Sequence, residues 1–285
     1  MSKATTQTKA KSKGLLFDMV TCAGCNQCAV ECMIKQGFVE GETEAEKREN
    51  AEERATGLKE LSSTAYTRVW LEDVNGDEYG LRNLCRHCIE PSCASVCPVG
   101  ALEKTDLGPV IYDVKKCIGC RYCMVACPFN IPRYEWDKPA PAVRKCDMCY
   151  DRVKEGKPTA CAAVCPDEAT IFGDREELLK IARSRIEDDP DSYYPHIYGE
   201  EEIGGTSVLF IVPAEIAKLG YDPKLGTEPL PALTWKVLSK IPGIVTGGGA
   251  ALLAIWWITR RRDEVALVEG GYYGHGSKEN GDGNR

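Results

Sequence analysis

The chain has 285 residues, 16 of them Cys and 3 His, with a formal charge of −7. That acidic balance excludes nucleic acid as the main partner, since phosphate backbones reward a basic surface. A hydrophobic share of 43% excludes wholesale disorder, and 16 cysteines in so long a chain do not suit the disulfide framework of a short secreted scaffold.

Residues 1–14 are polar and rich in Lys, Thr and Ser, and predict a mobile tail without an apolar signal core or twin arginine. Cys22, Cys25, Cys28 and Cys32 follow with the spacing C-x2-C-x2-C-x3-C. An insertion over 33–84 comes next. Within it, 41–60 is Glu-rich and predicts an exposed helix. Tyr66–Val74, Asn75-Gly76 and Tyr79–Leu84 predict a β-hairpin. The second motif is Cys85, Cys88, Cys93 and Cys97, followed by Pro98. Val110–Tyr112 predicts a short strand. The third motif, Cys117, Cys120, Cys123 and Cys127, has the spacing of the first and ends in Pro128. The fourth, Cys146, Cys149, Cys161 and Cys165, ends in Pro166. No cysteine is left over.

After the fourth motif, Asp174–Ile186 predicts a helix. Asp174 and Glu177 would form its capping box, and Leu178, Leu179, Ile181 and Ala182 its apolar face. Residues 187–205 are turn-rich, Ser207–Val212 predicts a buried strand, Pro213–Leu219 a short helix, and 220–233 a proline-rich linker. Ile241–Thr259 (IPGIVTGGGAALLAIWWIT) carries no charge and is close to the ~20 residues a bilayer span needs. Arg260, Arg261 and Arg262 follow it, with Trp256 and Trp257 near that end. The arginines place the C-terminus in the cytoplasm and the cysteine-rich part in the periplasm.

The run C-x2-C-x2-C-x3-C-P is the bacterial ferredoxin pattern for a [4Fe–4S] cluster. Three thiolates two residues apart wrap one cluster from a single loop, and the fourth belongs to the other cluster of a pair. Gly24 and Gly119 would let the loop backbone approach the inorganic core. Met33 stands where the first motif would carry its proline. Disulfides need no such rhythm, and structural zinc does not ask for the repeated x3-C-P ending. The second and third motifs lie close together, so the crossing rule groups Cys85, Cys88, Cys93 with Cys127, and Cys117, Cys120, Cys123 with Cys97. By elimination, Cys22, Cys25, Cys28 go with Cys165, and Cys146, Cys149, Cys161 with Cys32. The expected cofactors are four [4Fe–4S] clusters. His87, Arg121 and Tyr122 lie inside Cys loops and are candidates to tune a cluster. His196 and His275 are too isolated to be ligands.

The motif order, the run from Cys117 to Tyr134 (CIGCRYCMVACPFNIPRY), the segments Pro195–Gly199 and Gly204–Leu209, and the single C-terminal span together resemble a known family. It is the iron–sulfur electron-transfer (β) subunit of membrane-bound formate dehydrogenases and uptake hydrogenases, within the four-cluster subunits of the DMSO reductase type. The resemblance implies an α+β fold of two ferredoxin-like two-cluster units, one inserted in the other, plus one C-terminal transmembrane helix. It divides the chain into a tail (1–14), a cluster domain (15–175), a wrapping segment and linker (176–235), a transmembrane helix (236–262) and a polar tail (263–285). It implies a non-catalytic wire between a catalytic molybdopterin or nickel–iron subunit and an integral-membrane cytochrome b or quinone-reactive subunit. Formate dehydrogenase is the first expectation for the donor and hydrogenase the next. Export attached to a signal-bearing partner would reconcile a periplasmic cluster domain with a tail lacking a signal. Another molybdopterin reductase, for DMSO or polysulfide, and a zinc scaffold are the alternatives.

Overall fold

The computed structural model describes residues 12–268. Expectations for 1–11 and 269–285, His275 among them, lie outside these residues. The chain divides into two units, 1–233 and 234–285.

The first unit opens with β1 (Lys13–Asp18), α1 (Gln27–Lys35) and α2 (Glu44–Thr56). The hairpin β2 (Thr67–Val74) and β3 (Asp77–Leu84) leads to α3 (Ser92–Ser95), β4 (Leu102–Lys104) and β5 (Val110–Tyr112). Then come α4 (Tyr122–Ala126), β6 (Arg133–Tyr134), β7 (Val143–Arg144), α5 (Tyr150–Lys154) and α6 (Ala160–Ala163). The unit continues with β8 (Thr170–Asp174), α7 (Arg175–Asp188), β9 (Ile197–Tyr198) and β10 (Val208–Ile211).

The central sheet has the order β8-β1-β10-β9. β1 runs parallel to β10, with Leu15 opposite Val208, and antiparallel to β8, with Leu15 opposite Phe172. Both faces are covered, so β10 is apolar throughout and β1 carries Leu15, Leu16 and Phe17 in succession. Alternation then divides the sequence between two cores. Leu15, Phe17, Val208 and Phe210 face Met148, Cys28 and Cys161. Leu16, Leu209 and Ile211 face Leu178, Leu179 and Ala182 of α7. The strand therefore carries the cysteine loops on one face and α7 on the other.

Four expectations change here. The strand begins at Lys13, inside the expected tail, because the Lys13 ammonium meets Asp174 at 2.7 Å and the strand pairs with β8 from that residue. Asp174 therefore does not cap α7 with its side chain, and the expected capping box is absent. Ile181 is 37% exposed, while the other three residues of the expected apolar face are buried. The turn-rich stretch 187–205 contributes edge strand β9.

The hairpin forms in the expected register, with Val74 opposite Asp77 across Asn75-Gly76. Antiparallel β4–β5 joins the second and third motifs, and β6–β7 joins the third and fourth. The acidic helix α2 is not solvated all round: Ala51 and Ala55 are buried against Ala29, Val30 and Met33 of α1. A full capping box starts it, with Glu46 N–H donating to Thr43 Oγ1 at 3.2 Å and Glu46 Oε2 accepting from Thr43 N–H.

α8 (Leu230–Leu238) precedes α9 (Ile241–Val268). α9 continues without interruption through Gly247–Gly249 and past the three arginines. Its large apolar side chains are exposed, Ile244, Leu252 and Trp257 all by more than half. Residues 230–262 contain the one stretch among the described residues that is long and apolar enough to cross a membrane. At its end the Arg260 and Arg261 guanidiniums lie over Trp256 and Trp257.

Thr43→Ala removes the cap that starts α2. The expected loss is about 1 kcal/mol of local helix stability, read as roughly fivefold faster amide exchange in the first turn of α2, with exchange in the central sheet unchanged.

Candidate metal centres

The first Cys-x-x-Cys loop of each of the four motifs uses one backbone device. The residue before the second cysteine lies in the left-handed region: Gly24 (φ 69°), His87 (φ 47°), Gly119 (φ 71°) and Met148 (φ 56°). That turn aims its N–H back at the first sulfur. Gly119 N–H donates to Cys117 Sγ at 3.4 Å and Met148 N–H to Cys146 Sγ at 3.3 Å. Glycine adopts this conformation without strain, whereas His and Met are held in it by their surroundings. A Cβ on Gly24 would meet Leu71 at 2.6 Å, and one on Gly119 the Tyr134 hydroxyl at 3.0 Å. The glycines are thus required by left-handed backbone and crowding from outside the loop, a different reason from approach to an inorganic core. Gly80 of β3 was not singled out by spacing; a Cβ there would meet Cys22 Sγ at 2.5 Å.

The folded chain gathers the sixteen thiols in fours. Cys22, Cys25, Cys28 and Cys165 line one small cavity, walled by Phe17, Val69 and Thr170. Cys32, Cys146, Cys149 and Cys161 line a second, walled by Leu15, Thr67, Arg82 and Leu84. Cys97, Cys117, Cys120 and Cys123 line a third, beside Leu102, Tyr112 and Val143. Around Cys88 stand Cys85, Cys127 and Cys93, whose charges all act on it. Sulfurs of successive groups also sense one another: Cys28 with Cys161, Cys146 with Cys85, and Cys93 with Cys123. The groups therefore form a row. All sixteen cysteines are free of disulfides.

Burial dominates the acid–base chemistry. It pushes the Cys28 and Cys93 thiols up to about 12 and Cys149 and Cys123 up to about 11. Cys32 and Cys146 are driven well above the ordinary range, burial again leading. Cys97 goes the other way: burial raises it, but backbone N–H groups of Ala101, Val99, Leu102 and Gly100 together outweigh that and lower it. A thiolate ligand in such sites needs strong positive charge beside it, which a bound metal supplies. Among the described residues, no three Cys, His, Asp or Glu side chains converge on a point suited to one ion. Four thiols spread around a cavity fit a polynuclear iron–sulfur group, whereas zinc draws four sulfurs to about 2.3 Å from one centre.

Polar groups missed by motif spacing fix these loops. Asp18, fully buried at the end of β1, accepts from Thr21 N–H and Oγ1, Arg185 Nη1 at 2.7 Å and the Tyr193 hydroxyl at 2.8 Å. It ties the entry of the first loop to α7. Arg175 donates to the Thr206 carbonyl at 2.7 Å and the Glu200 carbonyl at 2.9 Å, fastening the segment before β10. Lys104 donates to the His87 carbonyl and Ser207 Oγ at 3.0 Å. Burial pushes Lys104 down to about 8, against the charges of Cys88 and Cys85. Lys145 donates to the Val110 and Cys146 carbonyls, bridging β5 and the fourth motif.

His87 is buried, not an exposed loop side chain. Its Nδ1 accepts from Val110 N–H at 2.9 Å, and burial, then Lys145 and Lys104, hold it well below the usual histidine range and hence neutral. Arg121 and Tyr122 are exposed; Arg121 also lines the third cavity and lies over Tyr134 and Trp136. His196 is paired to Glu202 at 2.6 Å and belongs to no cysteine group.

Residues 79–175 match the family model of a 4Fe-4S dicluster domain. The chain is 36% identical to the Hydrogenase-2 operon protein HybA of Escherichia coli O157:H7, over 72% of this chain and 71% of that protein. It is 32% identical to the formate dehydrogenase iron-sulfur subunit of Haemophilus influenzae, over 84% and 78%. It is 38% identical to one of the polypeptides of the anaerobic dimethyl sulfoxide reductase of Escherichia coli K12, over 59% and 76%. The chain belongs to this family of iron–sulfur electron-transfer subunits. The expectation drawn from the run Cys117–Tyr134 and the segments around Pro195 and Gly204 is thereby met at the level of the family.

Glu135 gives the loops between the third and fourth motifs an acid limit. Burial raises its carboxyl, but Lys138 and Arg144, with Ala142 N–H, outweigh that and hold it below the usual range. Its stabilisation is present above the unfolded carboxylate value of about 4.3 and is lost as pH falls through the lower folded value. Glu135→Gln should lower the melting temperature at neutral pH, and the gap to wild type should shrink as pH falls below about 4.

Proposed function

We propose that the chain holds four [4Fe–4S] clusters, one in each cysteine group, and passes single electrons along the row. The ligand sets are Cys22, Cys25, Cys28, Cys165; Cys32, Cys146, Cys149, Cys161; Cys85, Cys88, Cys93, Cys127; and Cys97, Cys117, Cys120, Cys123. The observation that carries this reading is the gathering of the thiols in fours, three of the groups each lining a common cavity. When bound, such a cluster takes up and returns one electron with little rearrangement. The chain's own residues hold the thiols in place, exclude water with Leu15, Phe17, Leu84, Leu102 and Val143, and direct N–H groups at sulfur, which sets potential.

Residues 15–175 serve as the cluster domain and 236–262 as its anchor. The row connects a catalytic subunit to a membrane subunit of the cytochrome b or quinone-reactive kind. A molybdopterin formate dehydrogenase is our first reading of the donor, supported by the 84% of this chain that aligns with a formate dehydrogenase subunit. The 36% identity to a hydrogenase operon protein supports a nickel–iron donor as the second. Arg260–Arg262 favour a cytoplasmic C-terminus and a periplasmic cluster domain, reached with a signal-bearing partner.

Purified chain should be brown and carry about 16 iron atoms; about four zinc ions instead would overturn the reading. Cys120→Ser and Cys97→Ser should each lose or convert the same paramagnetic signal, and two different signals would refute the grouping. Removing 236–285 should release the chain from membranes; retention on partner-free membranes would refute the anchor. Co-purification of a molybdopterin or a nickel–iron subunit decides the donor.

A further inference from the structure

Arg82 stands between two of the cysteine groups without a carboxylate partner. It projects from β3 and is 1% exposed. Nε donates to Thr67 Oγ1 at 2.9 Å and Nη1 to Thr170 Oγ1 at 3.0 Å. Thr67 lines the second cavity and Thr170 the first. The guanidinium thus reaches one wall of each. Phe17, another wall of the first cavity, lies 5.6 Å from it, and Arg82 itself lines the second. Nη2 is buried with no hydrogen-bond partner. The Arg82 carbonyl accepts from the Tyr221 hydroxyl at 2.7 Å, which pins this point of the strand.

A buried guanidinium without a counter-ion is strongly unfavourable. Thiolates supply the missing negative charge. Those that act on Arg82 are Cys28 of the first group and Cys161 and Cys146 of the second, and in return it acts on Cys22, Cys28 and Cys32. The other buried cations are placed differently. Lys145 and Arg175 are bonded to backbone carbonyls, and Arg86 is packed over the Phe210 ring at 3.9 Å.

We propose that Arg82 is a shared counter-charge for the first and second groups, one guanidinium wedged between two cavities and favouring the reduced, more negative state of the cluster on either side. The electron enters or leaves the cluster, while no bond or proton changes at Arg82. A fixed positive charge in a medium of low dielectric raises the potential of both neighbours. The field of the one charge acts on each cluster separately, so its effects on the two potentials add. Arg82 is a tuning residue and not a ligand. The inference rests on the four-cluster reading above.

The test is a redox titration of the assembled membrane complex followed by magnetic resonance, comparing wild type, Arg82→Gln and Arg82→Lys. Cys25→Ser and Cys149→Ser mark the signals of the first and second groups. Arg82→Gln should shift the oxidised-to-reduced ratio of those two clusters about tenfold toward oxidised at fixed potential, about 59 mV lower for a one-electron couple. The other two midpoints should stay in place, and Arg82→Lys should restore most of the shift. Four loaded clusters with unmoved midpoints, or an equal shift of all four, overturn the inference and leave the four-cluster reading intact. Wild type without four signals overturns that reading itself. If Arg82→Gln fails to load, the neutral Arg82→Met takes its place: the two marked midpoints must fall relative to the other two, and unmoved midpoints refute the proposal.

Discussion

A thiolate in a dry interior needs positive charge, and this protein buries Cys28, Cys85, Cys123, Cys149 and Cys161 and leaves only Cys25 and Cys120 of its sixteen cysteines exposed. Burial alone drives Cys28 and Cys93 to about 12, far from the ionised form a ligand requires. Bound iron would resolve the conflict, its positive charge favouring the deprotonated thiols that the loops present. The fold around the cavities is arranged to serve this. Alternate residues of β1 and β10 wall the first two groups, and the intervening residues seat α7. Burial of the thiols and packing of the sheet are therefore one requirement, and metal loading is coupled to folding as in other metal-ligating domains.

The ligand loops show how backbone geometry does the positioning. In the first Cys-x-x-Cys of each motif the residue before the second cysteine is left-handed, whether it is glycine or not. The strain at His87 and Met148 is held by anchors outside the loop. His87 is fixed through Nδ1 to Val110, and Met148 is packed into the main core beside Leu15 and Cys161. Two loops thus carry the conformation in a glycine, and two have it imposed by tertiary contacts. In the latter the side chain that imposes it also seals the site.

Much of this was legible in the residues. The cysteine spacing defined the four groups, because ligand reach along a loop is local chemistry. The hairpin around Asn75-Gly76 and the buried strand before Val212 followed from turn chemistry and an apolar run. What was hidden is long-range. β1 reads as the end of a polar tail until β8 and β10 flank it. Asp174 has the residue type of a cap, but Lys13, distant in sequence, takes its carboxylate. Asp18 and Arg82 look like ordinary surface charges in a hairpin or a strand end. Only the fold shows them fully buried, because their partners Arg185, Tyr193 and Thr170 lie far along the chain.

The sign of those buried charges connects the composition to the wire. The whole chain is acidic, yet Arg82, Arg86, Lys145 and Arg175 are buried cations. Acidic residues are concentrated outside, as on α2, where they keep a large protein soluble and face solvent that screens them. Inside, screening is weak, and a cation acts strongly on any neighbouring anion. Cluster sites ligated by four thiolates are such anions, and they become more negative on reduction. Each interior cation therefore acts as a local setting on the row. Arg82 acts on two groups at once through Thr67 and Thr170, while Lys145 spans Val110 and Cys146 where the second and third groups meet. The net charge of the sequence conceals this arrangement, since Arg82 and Lys145 are buried beside the cysteine groups while the acidic residues of α2 lie outside.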